Sequence, residues 1–204
     1  MRPTDILMGE HRVIEQVLNC LEEMAVRCAQ GQALDGSAAR QAVDFFQTFA
    51  DHCQHAKEEN HLFPLMEARG FSRSQGPTGV MLAEHELGRE CLRGMAAVID
   101  RASEGDADAL RLFADQARNY VDLLRLHILK EDQRLFPMAD HCLTGPDQEA
   151  LLRAFADVED RDLHAGTHER YLRIADELAE RLDVPRTPIQ TVAGPGCCSC
   201  GHHG

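Results

Sequence analysis

The sequence predicts an all-α protein: an antiparallel up-down four-helix bundle, an additional C-terminal helix and a flexible tail. Three observations carry this prediction. Apolar residues recur at the helical period and no stretch alternates as a strand would. The long amphipathic segments are joined by short connections, which favour antiparallel neighbours. The chain also repeats itself: Glu10-His11 followed by Leu18 recurs as Glu84-His85 followed by Leu92, and Lys57-Glu58-Glu59 with Leu62-Phe63-Pro64 recurs as Lys130-Glu131-Asp132 with Leu135-Phe136-Pro137. Two pseudo-symmetric helical hairpins, each carrying His and Glu, are a natural way to enclose metal between them.

The first helix starts near Thr4, a candidate N-cap after Pro3, and fades at Gly31. A second runs from about Ser37 to Arg69 and is closed by Gly70 and a Ser/Gln/Gly/Pro turn. The third begins at Pro77-Thr78 and ends near Gly105; the fourth fills Asp108 to about Cys142. After Thr144-Gly145-Pro146 a fifth helical region reaches about Leu182, with a candidate break at Ala165-Gly166. The expected organisation is a bundle over 1–143, a helical extension packed on it over 144–183, and a Cys/His-rich tail over 184–204. The tail is rich in Pro and Gly and is expected to lack fixed structure without a ligand.

A formal net charge of −13 argues against nucleic acid and anionic membranes as partners. No apolar run is long enough to span a bilayer and the N-terminus lacks a signal-peptide pattern, so a cytoplasmic location is expected. Cys20, Cys28, Cys53, Cys91 and Cys142 fall singly inside helical patterns, where a reduced, buried thiol is the simplest reading.

Chemistry concentrates on the inward stripes. Helix four reads Leu110, Phe113, Ala117, Tyr120, Leu124, His127, Glu131, Met138; helix one carries His11 between Leu7 and Ile14, and helix three His85 between Met81 and Gly88. A lone histidine on such a seam is more often a satisfied core residue than a ligand. Several at matching depth, with a carboxylate one turn on, reverse that balance. Burying Glu131 without a cation is strongly unfavourable, and a metal is the economical partner. Imidazole and carboxylate without thiolate suit iron or manganese better than zinc.

His11, His55 with Glu59, His85, and His127 with Glu131 form an H…HxxxE…H…HxxxE pattern that resembles the hemerythrin-like HHE cation-binding proteins, over about residues 4 to 142. The resemblance implies two non-haem irons bridged by carboxylates and an oxo or hydroxo group. His11, His55, His85 and His127 would be terminal ligands, and Glu59 and Glu131 the bridges. The family includes oxygen carriers, oxygen or iron sensors, iron-centre repair proteins and peroxide-decomposing proteins. Oxygen carriers have a second histidine one turn from the helix-three ligand, where this chain has Arg89 and Met81, and they end with His and Asp five apart. The pattern is closer to the repair and peroxide-active branches. The expected function is binding or turnover of a small oxidant (oxygen, peroxide or nitric oxide), in oxidative or nitrosative stress defence or iron-centre repair. Enzymatic turnover stays open beside a non-enzymatic iron or oxygen sensor, and an electron donor or iron-accepting protein is not identified.

Two registers compete in helix two. Aligning the Leu-Phe-Pro repeats pairs Glu58 with Glu131 and sets Gln54 opposite His127. A regular helix of ~100° per residue instead places Glu59 and His52 on the apolar face and His55 at its edge, with Glu58 outside. The regular helix assigns His55 and Glu59 as ligands and His52 as a further candidate; a π-bulge would rotate Glu58 inward. Outside the bundle, His164 and His168 share a helix face, although a solvated helix is the simpler reading. Cys197, Cys198 and Cys200, with His202 and His203, offer soft and borderline ligands for metal or thiol exchange.

Overall fold

The computed structural model describes residues 1–162 and 167–186, with only the backbone of 160–162, 167 and 168. His164, Cys197, Cys198, Cys200 and the expected break at Ala165-Gly166 lie outside the described residues, as does the side chain of His168. Among the described residues every regular element is a helix and none is a strand.

Helix α1 spans Pro3–Ala29. Its cap is Arg2, not Thr4: Asp5 in the first turn accepts the Arg2 backbone N–H at 2.8 Å, while buried Thr4 donates its hydroxyl to Asp140 at 2.8 Å. Helix α1 closes just before Gly31, whose φ of 78° suits only glycine well. The second long helix is composite. It comprises α2 (Gly36–Phe45), capped by Asp35, then π-helical segments π1 (Phe46–His55) and π2 (Glu58–Leu62), then α3 (Phe63–Ala68). The single third helix expected from the sequence is interrupted at Ala97–Val98, giving α4 (Pro77–Ala96) and α5 (Ile99–Ser103). Asp106 caps α6 (Ala107–Lys130) by accepting two backbone N–H groups at 3.0 Å; π3 (Glu131–Leu135) and α7 (Phe136–Cys142) continue it.

Two of the π segments, π2 and π3, have a local cause. Pro64 and Pro137 lie just beyond π2 and π3. A proline within a continuing helix lacks an N–H and clashes with the carbonyl four residues back. A widened turn absorbs both problems without breaking the rod.

Packing order follows from side-chain pairs. Along α1 the partners of Thr4, Arg12 and Glu22 are Asp140, Asp132 and Arg125. Along α4, Glu84 meets Lys130, Gly88 lies against Tyr120 and Gly94 against Gln116. His85 and Arg89 likewise meet Glu59 and Asp51. In each pair the numbers run in opposite directions. A methyl group at Gly88 would come within 3.3 Å of the Tyr120 ring, so α4 and α6 are close there.

Two apolar clusters form. One joins α1, α2, π1, α4, α6 and α9 (Thr167–Leu182) around Phe45, Phe46, Phe49, Phe113 and Tyr120. The other joins Leu7, Phe63, Met81 and Phe136 with Leu151 and Phe155 of α8 (Gly145–Asp162). Tyr171 of α9 packs edge-on to Phe45 at 5.9 Å, so the extension contributes to the same core as the earlier helices. The polar layer between the clusters holds the candidate site. No described helix is long and apolar enough to cross a membrane. The cysteines of the described residues are free thiols, and burial pushes Cys20 up to about 11 and Cys53 up to about 12.

Candidate metal centre

Six buried side chains face one another in this layer: His11, His55, Glu58, His85, His127 and Glu131. His85 Nε2 lies 3.1 Å from His127 Nε2 and 3.6 Å from Glu58 Oε2. Glu131 Oε2 lies 3.2 Å from His127 Nε2 and 3.3 Å from His11 Nε2. Ligand atoms of Glu58, His85, His127 and Glu131 fall within 4.8 Å of one another, as do those of His55, His85 and His127. His55 stacks on His85 with ring centroids 3.7 Å apart.

The register taken from a regular helix is corrected here. Glu58 is fully buried and faces Glu131, whereas Glu59 is half-buried outside the cluster, bound to His85 Nδ1 at 2.6 Å and Arg89 at 2.7 Å. His52, the further candidate, is exposed, and Gln54 is buried in its stead. The cause is the wide turns of π1 and π2, which take more residues per revolution than an α-helix and shift the inward line. The same effect turns Met138, expected on the inward stripe, out to solvent beyond π3. The Leu-Phe-Pro repeat held the right register.

Each imidazole has a carboxylate behind its Nδ1, and three of the four are hydrogen-bonded to it. His11 Nδ1 bonds Asp132 at 2.7 Å, His127 Nδ1 bonds Glu84 at 2.9 Å, His85 Nδ1 bonds Glu59, and His55 Nδ1 lies 3.4 Å from Asp51. Each of these carboxylates meets a cation: Asp132 meets Arg12, Glu84 meets Lys130, and Glu59 and Asp51 share Arg89. A carboxylate on Nδ1 fixes the tautomer that turns Nε2 inward, the arrangement found behind metal-bound histidines. Pairing by sequence stripe missed these supports. The one available signal was the repeat itself, which matches Lys57 with Lys130 and Glu10 with Glu84. Fully buried Lys57 binds Glu10 and also Glu159 at 2.7 Å, tying α8 to the layer.

The layer is electrostatically uncomfortable without a cation. Burial, then the neighbouring Glu131, raises the Glu58 carboxyl well above its ordinary range. Burial opposes ionisation of Glu131, but His127 and His11 outweigh it and hold that carboxyl low. Burial and the nearby His85 push His55 down to about 3, and burial likewise lowers His85. Burial works against a charged His127 as well, yet Glu131 and Glu84 lift it to about 9. Glu58 Oε2, Glu131 Oε1 and both ring nitrogens of His55 are buried without a hydrogen bond. Buried polar atoms are rarely left so, and convergent carboxylate and imidazole donors suit a transition metal held by nitrogen and oxygen. These residues fit a metal centre.

A surface groove lined by Asp51, His52, Ala56, Glu59, Arg89 and Arg93 opens beside His55 and His85. It reaches the carboxylates that hold those two rings.

No curated protein and no solved structure matches the chain significantly. The family model described as the Hemerythrin HHE cation binding domain matches residues 2–139, which contain all six clustered side chains. The chain therefore belongs to the hemerythrin HHE cation-binding family.

Proposed function

We propose that this chain is a non-haem di-iron protein that binds or reacts with a small oxidant: oxygen, peroxide or nitric oxide. The single observation that carries this reading is the facing pair of buried carboxylates, Glu58 and Glu131, each keeping an unpartnered oxygen among inward imidazole nitrogens. In this reading Glu58 and Glu131, together with His11, His55, His85 and His127, would hold the two metals. The four long helices form an antiparallel up-down bundle around them, as the descending side-chain pairs support. When bound, the irons supply Lewis acidity and one-electron redox chemistry at open coordination positions. The chain's own contribution is positional. Asp132, Glu84 and Glu59 hold three of the rings, Asp51 lies beside the fourth, and the groove beside Arg89 reaches the carboxylates behind His55 and His85.

Arg89 and Met81 stand one turn either side of His85, where oxygen carriers have another histidine, and Arg89 is committed to Asp51 and Glu59. Fewer imidazoles leave more of the coordination sphere to an incoming ligand, which favours reaction over simple carriage. The test is stopped-flow mixing of the ferrous, anaerobically loaded chain with hydrogen peroxide, dioxygen or nitric oxide. The reading predicts a new visible absorption with at least one of the three, formed faster than with free ferrous iron in the same buffer. Rates indistinguishable from free iron with all three would overturn it.

A further inference from the structure

The site obeys an internal two-fold that exchanges His11 with His85, Glu58 with Glu131, and Gln54 with His127. His11 stacks on Phe136 at 5.5 Å, as His85 does on Phe63 at 6.1 Å. His11 is held by Asp132 and His85 by Glu59. Lys57 binds Glu10 as Lys130 binds Glu84. Gln54 Nε2 lies 3.2 Å from His11 Nε2, the counterpart of the 3.1 Å separation of His127 and His85. Gln54 donates to Glu58 at 2.6 Å where His127 approaches Glu131 at 3.2 Å.

The symmetry fails at two neighbouring positions: Gln54 stands against His127, and His55 against Ile128. Glu84 Oε2 takes the Nδ1 of His127, but the matching oxygen, Glu10 Oε2, is buried without a hydrogen bond. Gln54 has no second ring nitrogen to offer it. His55, the next residue, does not repair the loss, because it stacks on His85 and joins the opposite side. One side of the layer thus presents three imidazoles, His55, His85 and His127. The other presents His11 and an amide. Both share the two carboxylates.

We propose that the two metal positions are inequivalent, with a tight position on the His85–His127 side and an exchangeable one between His11, Gln54 and Glu58, and that Gln54 sets the difference. The inference rests on the di-iron reading and deepens it. A neutral amide is a weaker donor than imidazole, and here its N–H group already faces the carboxylate. Loss of an outer support alone costs a metal site roughly 10–100-fold in affinity, so an absent imidazole should cost at least about tenfold on the same scale.

The experiment is anaerobic titration of the metal-free full chain with cobalt(II), followed by visible absorption and by calorimetry. Two successive equivalents are expected, with affinities at least about tenfold apart. Gln54→His should tighten the second step by at least about tenfold and leave the first where it was, because the new Nδ1 would meet Glu10. His127→Gln should instead weaken the first step. Two equivalents bound with equal affinity by the natural chain would overturn the inference while leaving the two-metal reading intact. So would a folded Gln54→His variant, verified by circular dichroism, whose second step has not moved. If that variant does not fold, the natural chain and His127→Gln decide the matter. Failure of the natural chain to bind cobalt or iron at all would overturn both readings.

Discussion

Glu58 and Glu59 are neighbours with the same chemistry, and their surroundings give them opposite tasks. Glu58 is paired with no Lys or Arg among the described residues, and burial and Glu131 keep its carboxyl raised. Glu59 loses some hydration too, but His85 and Arg89 hold its carboxyl below the ordinary range. Replacing Glu58 by Gln should therefore take iron from two per chain to one or none. Replacing Glu59 by Gln should keep the stoichiometry at saturating iron and weaken affinity by roughly 10–100-fold. Iron quantification on both variants checks this, and the reverse ranking would contradict the register. The same environments fix the pH response. In the metal-free chain His127 is lifted to about 9, so at neutral pH it carries a proton it must release to coordinate, and the Glu58 carboxyl is shifted in the same direction by burial and Glu131. Metal binding at neutral pH should release protons, and affinity should rise with pH up to about 9. Calorimetry in buffers of different ionisation enthalpy measures the release; a proton count of zero would contradict it.

The π segments decide which side chains reach the centre, and they are where the sequence was hardest to read. His11, His85, His127 and Glu131 were legible because α1, α4 and α6 are regular up to the site, so the helical period predicts their inward faces. Glu58 and Gln54 were not, because a period of ~3.6 accumulates error across π1 and π2. The prolines at 64 and 137 were the available clue, together with the repeat that binds each glutamate to a following Leu-Phe-Pro. Deleting exposed Gln133 should return π3 to an α register and leave Glu131 and Phe136 unable to face inward together. Helical circular dichroism should change little while bound iron falls well below that of the natural chain. Full loading of the deletion variant would mean that the wide turn has no part in aiming Glu131.

Two apolar clusters clamp one polar layer, and α8 and α9 belong to that clamp. Ending the chain at residue 144 would remove Tyr171, Ile174, Leu178 and Leu182 from the larger cluster. At roughly 1.5–3 kcal/mol for each buried side chain, the loss should be several kcal/mol. Denaturant unfolding checks this, and an unchanged midpoint would show that the bundle is self-sufficient. The pairing of two hairpins was visible in the sequence as the repeats of Glu10-His11 at Glu84-His85 and of Lys57-Glu58 at Lys130-Glu131, whereas the contribution of α8 through Glu159 and Lys57 was not. A lysine inside an acidic, helical stretch looks solvated until a distant helix covers it. In the proposed function the layer between the clusters holds two irons shared by Glu58 and Glu131. The most direct measurement is an anomalous-scattering map at the iron edge from crystals of the iron-loaded chain. Two peaks are expected, each contacted by both glutamates, with Glu59 outside their reach. A single peak, or a peak bound by Glu59 in place of Glu58, would contradict it.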